Sequence, residues 1–287
     1  MLRVVLSASF RSVVAQHDVV RIAGAHDALG AVLAQEAGFP AVWSSSLEVS
    51  AARCLPDASL LSMTEYLVAA ATMQNAVSVP VVADCDTGYG NNLNVAHMVH
   101  AYEAAGITAV CMEDKVFPKI NSFARADHSL LDTKVFARKV EVAKNAQQSP
   151  EFFVIARTEA LISGQDVAEA VHRCSAYADA GADAVLVHSK SRTNEQILRF
   201  LDKWSGAVPV VVVPTTYPDW SAQDAGAAGV SVIIYANQGL RATVTSLREA
   251  YRAIYQQGRS TELEGRIVDI QEIFRLQRLD EWKALER

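Results

Sequence analysis

The densest chemistry in the sequence lies in EDKVFPKINS, residues 113–122, where Glu113, Asp114 and Lys115 close an apolar run and Lys119, Asn121 and Ser122 follow. Acids, amines, an amide and a hydroxyl set this close together make a charged reaction centre rather than a solvated face. An earlier run, VPVVADCDTGYG, places Asp84 and Asp86 two residues apart. In a strand that spacing sends both carboxylates to one side, toward a hard cation such as Mg2+; Asx turns that merely end the strand are the plainer alternative. A divalent metal, a lysine and an amide donor suit a small phosphorylated or carboxylated substrate.

The remaining polar candidates each carry two readings. Glu113 and Asp114 alternate faces, so Glu113 is expected inside the site and Asp114 paired with a neighbouring Lys or Arg. Arg157 ends the apolar run FFVIA, and its permanent charge needs an anion there, either nearby Glu159 or a bound phosphate or carboxylate. His188 follows AVLV and is either a buried histidine donating to a carbonyl or a member of the site. Asp57 in LPDAS reads as a turn residue, and Trp43 as core packing or as a platform for a ligand. TGYGN lacks both the P-loop lysine and the dinucleotide glycine spacing, so neither ATP nor NAD is called for.

Elements that could position these groups show in a repeated phrase: AQEAGFPAVW at 34–43, YEAAGITAVC at 102–111, YADAGADAVL at 177–186 and a looser DAGAAGVSVI at 224–233. In each, a helix end meets a strand, with Gly38, Gly106, Gly181 and Gly229 where a helix C-terminus needs a left-handed residue. Eight strands are predicted near 19–24, 41–45, 79–84, 109–113, 152–157, 184–188, 208–213 and 230–235. Helical patterns behind Ser62, Asn92 and Asp166 separate them. Strict alternation in this number predicts a parallel (β/α)8 barrel over residues 1–242, with an open doubly wound sheet as the alternative. Barrel sites lie at the C-terminal strand ends, and Trp43 to Ser46, Asp84, Glu113, Arg157, His188 and Asn237 all fall there. From about 243 to 287, VTSLREAYRAIY and IVDIQEIFRLQRLDEW add apolar helical stripes that a finished barrel does not need.

The chain has 287 residues, 51% hydrophobic and 20% charged, with a formal net charge of −6. That is enough for a large core and offers no basic stripe for a nucleic acid. No apolar run reaches a membrane span, and Ser7, Ser9 and Arg11 interrupt MLRVVLSASFRSVV before a signal-peptide core develops, so a cytosolic location is expected. Cys54, Cys85, Cys111 and Cys174 form no CxxC pair and read as free thiols.

Taken together, EDKVFPKINS, VADCDTGYGN, AVWSSSLEVSA, VIARTEALI, VLVHSK and EIFRLQR resemble the phosphoenolpyruvate mutases of the isocitrate lyase superfamily over nearly the whole chain. The lyases of that superfamily carry a catalytic cysteine in Lys-x-Cys-Gly-His, where this chain reads Lys119-Ile120-Asn121-Ser122; carbon–carbon cleavage is therefore disfavoured. Phosphonopyruvate hydrolases are closer and typically have Thr where Asn121 stands.

The resemblance implies an Mg2+-dependent intramolecular phosphoryl shift between phosphoenolpyruvate and phosphonopyruvate, in phosphonate biosynthesis. Asp84 would hold the metal directly, and Asp86 and Glu113 through water. Arg157 and His188 would clamp phosphoryl oxygens while Lys119, Asn121 and Ser122 close over them. Asp57 matches the suspected phosphoryl acceptor. Amides around Ser45, Ser46 and Leu47 would take the substrate carboxylate beside Trp43. A homodimer or homotetramer with an exchanged barrel helix is implied as well. Two departures stand out: Ser44-Ser45-Ser46 replaces a Gly-Ser-Gly, and FARADHSLLD lacks a common Asp-Gly-Arg element. They leave a hydrolase or a carboxyphosphonoenolpyruvate mutase open as alternatives, with a non-catalytic binding barrel behind them.

Overall fold

Eight short strands, rich in Val, Ile and Ala, alternate with helices and close on themselves. They are β1 (Val20–Ala25), β2 (Ala41–Ser44), β3 (Val81–Asp84), β4 (Ala109–Glu113), β5 (Phe153–Thr158), β6 (Ala184–Val187), β7 (Val210–Val212) and β8 (Val232–Tyr235). In this computed structural model, which describes residues 6–286, each strand pairs in parallel with the next and β8 returns to β1 as a closed barrel. The (β/α)8 expectation holds and the open sheet is excluded. Residues 1–5, the first part of the segment expected not to form a signal-peptide core, and Arg287 lie outside the described residues.

The helices are α1 (Phe10–Gln16), α2 (Ala28–Glu36), α3 (Ser46–Ala51), α4 (Met63–Ala76), α5 (Asn92–Ala104), α6 (Thr133–Ala146), α7 (Val167–Asp179), α8 (Glu195–Lys203), α9 (Ala222–Ala227) and α10 (Gln238–Gln257), followed by the short α11 (Thr261–Glu264), α12 (Ile270–Leu276) and α13 (Leu279–Ala284). Their starts are side-chain capped, except those of α8, α10, α11 and α13. Ser62 and Glu65 form a reciprocal capping box before α4, and Asp166 accepts from Glu169 N before α7. The cap of α5 is Asn91, one residue before the expected Asn92, with Asn94 completing the box. Gly38, Gly106, Gly181 and Gly229 have φ of 90°, 87°, 98° and 103°, the left-handed exit the repeated phrase requires.

Strand alternation sorts side chains into two layers. Ile22, Ala41, Trp43, Val82, Cys111, Ile155, Leu186, Val211 and Ile234 fill the barrel interior. Val42, Val81, Val110, Val154 and neighbours face the helix layer with Met73, Tyr102 and Phe136. Phe10 and Val13 of α1 join the interior cluster, and Phe10 meets Phe153 edge-on at 5.2 Å. This helix at the N-terminal end of the strands was not foreseen from sequence.

The boundary expected at 242/243 falls inside α10, which runs unbroken from Gln238 to Gln257. That helix buries none of its 20 residues and leaves Leu247, Tyr251 and Tyr255 at 44%, 65% and 90% exposure.

Candidate active site

Inward parity carries the site. Continuing the interior positions of β2 to β8 toward their C-terminal ends gives Trp43, Asp84, Glu113, Arg157, His188, Val213 and Ala236, and all of them line one pocket. The register sets Glu113 directly opposite Arg157 across β4 and β5. Asp57 arrives on the loop after α3, and Lys119, Asn121 and Ser122 on the long loop after β4; with Ser45, Ser46 and Leu47 they complete the wall. Trp43, 2% exposed, satisfies both readings, since it packs in the interior and forms the floor of the pocket.

Two polar clusters face each other in this cleft. In the first, Lys119 Nζ donates to Asp57 Oδ1 at 2.5 Å and stands 3.1 Å from Asp86 Oδ1. Asn121 Nδ2 donates to the other Asp57 oxygen at 2.7 Å and fixes its own loop through Phe123 N to Oδ1, 3.0 Å. In the second, Glu159 is the hub. Its Oε1 accepts from Arg157 Nε at 2.6 Å and lies 2.8 Å from His188 Nδ1, while Oε2 accepts from Ser122 Oγ and meets Lys115 Nζ at 3.1 Å. Lys115 also donates to Ile120 O and Ser122 Oγ at 3.0 and 2.7 Å, tying the loop to the strand ends.

Electrostatics follow from burial and pairing. Burial pushes the Asp57 carboxyl up, but the charge and hydrogen bond of Lys119, with Asn121 and Arg157, outweigh it and hold Asp57 below the ordinary carboxylate range. Burial also pushes Asp86 up, and because Asp84, Asp57 and Glu113 add to it while only Lys119 opposes, Asp86 reaches about 7. Asp84 shifts the same way for the same reasons, although part of it remains open to the pocket. Glu159 is held well below its usual value, since Arg157, His188 and Lys115 overcome its burial. His188 is lowered by burial, with Arg157 and Lys115 adding to that effect. Its Nδ1 lies 2.8 Å from both Arg157 Nη2 and Glu159 Oε1, and its Nε2 is buried without a protein partner. A buried ring nitrogen left unpaired beside Arg157 calls for a ligand atom to meet it.

Whether a divalent cation fits is decided by oxygens. Asp86 Oδ1 and Oδ2 and Glu113 Oε1 are buried and accept no hydrogen bond; Lys119 and Lys115 approach at 3.1 and 3.6 Å, close as charges but off the hydrogen-bond line. Ser46 Oγ donates to Asp84 Oδ2 at 2.8 Å and leaves its other oxygen to Asp86 N at 3.3 Å. Surplus carboxylate oxygens of this kind suit Mg2+. Among the described residues no three acidic, His or Cys side chains close on one point as a finished cage, and Mg2+ commonly takes one or two carboxylates and keeps water and substrate oxygens for the rest.

Three expectations need correction or refinement. Asp86 has φ of 49° and lies past the end of β3, so a left-handed turn rather than strand alternation brings it beside Asp84. It is not part of the pocket wall and reaches the site through Lys119. The Ser45 amide is spent on Ala25 O at 3.2 Å, which leaves Ser46 and Leu47, in the first turn of α3, as amides the helix itself cannot satisfy. Asp57 does lie at a bend of the loop between α3 and α4, yet both its oxygens are held by Lys119 and Asn121. Asp114 faces outward to Arg173 at 3.3 Å, the pairing expected of it. Phe123, Val213 and Thr215 were not singled out for the site; Thr215, three residues past the end of β7, was reachable by the strand-end rule.

The family model described as phosphoenolpyruvate phosphomutase matches residues 10–255. The chain is similar to the phosphonopyruvate hydrolase of Variovorax sp. (strain Pal2), 43% identical over 265 residues that cover 91% of each chain. The crystal structure of phosphoenolpyruvate phosphomutase from Streptomyces platensis subsp. rosaceus superimposes with a TM-score of 0.95 at 52% identity, covering 96% of each. A phosphonopyruvate hydrolase in complex with oxalate and Mg2+ superimposes with a TM-score of 0.92 at 40% identity, again over 96% of each. With strand-end carboxylates, an arginine–histidine pair and a loop lysine on a barrel of this likeness, the chain belongs to the phosphoenolpyruvate phosphomutase family.

Proposed function

We propose that this protein interconverts phosphoenolpyruvate and phosphonopyruvate, a step of phosphonate biosynthesis. The bond from phosphorus to the enol oxygen breaks, its electron pair stays on that oxygen, and the carbon–carbon π pair of the resulting enolate forms the bond from C3 to phosphorus. The observation that carries this reading is the roof over Asp57: Lys119 and Asn121 occupy one oxygen each, so the loop is closed against water where a phosphoryl group would pass.

The chain's own residues supply binding and orientation. The Ser46 and Leu47 amides suit the substrate carboxylate. Arg157 and His188 suit phosphoryl oxygens, with Glu159 holding both in place, and Lys119 offsets charge that redistributes during transfer. Asp57, ionised and fixed at both oxygens, faces the path of phosphorus as acceptor or as electrostatic support. Mg2+, held by Asp84 and through water by Asp86 and Glu113, would supply Lewis-acid polarisation of the enolate oxygen and carboxylate.

Hydrolysis of phosphonopyruvate is the second reading, favoured by the 43% identity to a hydrolase. Phosphorus NMR with Mg2+ and phosphonopyruvate separates the two. A phosphoenolpyruvate signal that EDTA abolishes supports the mutase, and inorganic phosphate in its place overturns it.

The bare face of α10 supports a homo-oligomer in which this helix packs on a neighbouring subunit, with the segment from residue 243 part of that contact. Among the described residues no helix is long and apolar enough to cross a membrane, which fits the cytosolic location we assign.

A further inference from the structure

Asp114 has no place in the pocket, yet it is among the most heavily hydrogen-bonded carboxylates in the protein. It is fully buried and faces away from the cleft. Oδ1 accepts from the Glu159 amide at 2.8 Å. Oδ2 accepts from Thr158 Oγ1 at 2.9 Å, from Tyr177 OH at 2.8 Å and from Arg173 Nη1 at 3.3 Å. The Arg173 nitrogen also donates to Leu131 O at 2.9 Å, and Leu131 N donates to Asp114 O at 2.8 Å. Both main-chain groups of Leu131 are thus clamped, one by Asp114 and one by its partner. Leu131 is where the loop bearing Lys119, Asn121 and Ser122 lands, one residue beyond the Lys115–Leu130 bridge that ties its ends together.

We propose that Asp114 is a positioning residue for the reaction: braced from α7 by Arg173 and Tyr177, it sets the Glu159 backbone and the landing point of the loop as one unit. Glu159 then orients Arg157 and His188, and its other oxygen takes Ser122 from the loop. Clamp and loop therefore share one anchor, which lies outside the cleft. Such a buried carboxylate could serve stability alone. The distinguishing feature is that its contacts run to the backbone carrying the clamp and to the base of the loop. This inference rests on the proposed function only for its choice of assay.

A double-mutant cycle tests it. Asp114→Asn, Glu159→Gln and the double variant are compared with the wild type for turnover of phosphonopyruvate, followed by phosphorus NMR for whichever product the wild type forms. Asp114→Asn is expected to lower kcat about 10- to 100-fold with KM within about threefold, the range for a misplaced catalytic group. The double variant is expected within about threefold of Glu159→Gln alone, because a residue acting through Glu159 has little left to disturb. Additive losses, or a kcat within twofold of wild type for Asp114→Asn, overturn the proposal. Should Asp114→Asn not fold, Tyr177→Phe removes one brace, with a loss of about 3- to 10-fold expected and the same non-additivity with Glu159→Gln. Release of phosphate instead of phosphoenolpyruvate by the wild type defeats the mutase reading but leaves the cycle intact. Hydrogen exchange with Mg2+ and oxalate gives a readout without turnover. Faster exchange confined to residues 116–131 and the end of β5 supports the shared anchor, and uniformly faster exchange throughout the barrel refutes it.

Discussion

Replacing Lys119 with Met tests the charge logic of the site more directly than any loss of activity. Lys119 is 5% exposed and sits 2.5 Å from Asp57 and 3.1 Å from Asp86. Methionine keeps much of the side-chain volume and removes the ammonium, leaving two buried carboxylates facing each other. In the wild type Asp57 is held below its ordinary value, so its contribution to stability is fully present above about pH 4 and constant between pH 5 and 7. In the variant, the folded state must take up a proton that the unfolded chain does not bind. That uptake costs about 1.4 kcal/mol for each pH unit above about 3.9, up to about 4 kcal/mol at pH 7 and about 1.5 kcal/mol at pH 5. Asp86, pushed up to about 7, carries its proton across most of this window in both proteins and largely cancels in the difference. The variant should therefore be less stable than wild type at both pH values, with the gap widening by about 2.5 kcal/mol from pH 5 to pH 7. Urea unfolding followed by tryptophan fluorescence, with EDTA and at equal protein concentrations, reads this difference. A gap below about 1 kcal/mol at pH 7, or one that does not grow with pH, would refute the charge pairing described here. Turnover should fall at least about 100-fold in the same variant.

Divalent-ion affinity should depend on pH, because Asp86 must shed its proton to help hold a cation. Mn2+ binding by paramagnetic resonance should weaken up to about tenfold per unit below pH 7, and a flat profile between pH 6 and 8 would contradict the shift of Asp86. Asn121→Thr removes the amide from Asp57 and the acceptor from Phe123 N. It should cut mutase turnover about 10-fold or more and let inorganic phosphate appear in the phosphorus spectrum; unchanged rate and product would remove Asn121 from the mechanism. A Cβ at Gly24 would lie 2.4 Å from Ala236 O and 2.8 Å from Glu48 Oε1, so Gly24→Ala should cost about 2 kcal/mol or more, visible as a lower Tm. Tyr251→Asp on the bare face of α10 should lower the mass seen by light scattering if that face meets a second subunit, and an unchanged mass would assign the face elsewhere.

The barrel was legible because its signals are local. Gly38, Gly106, Gly181 and Gly229 mark helix exits within ten-residue phrases, and strand alternation already told Glu113 from Asp114 and sent one to the cleft and the other to Arg173. The strand-end rule then placed Trp43, Asp84, Arg157 and His188 on one rim before any contact was known. Where a reading depended on the chain leaving its strand, periodicity misled, as at Asp86, whose turn has no period.

Composition and spacing by themselves determined the fold class, the rim on which chemistry collects and the kinds of groups that do it. Tertiary structure alone decided which groups meet: Lys119 with Asp57 across 62 residues, Tyr177 with Asp114 across 63, and Glu159 as the hub joining loop and clamp. The same holds for the protonation bias of the site, since Asp57 and Asp86 are the same amino acid and shift in opposite directions. Secondary structure follows from forces acting over a few residues. The pairing and desolvation that set charge arise only when the barrel closes and brings distant segments into one cavity of low polarity.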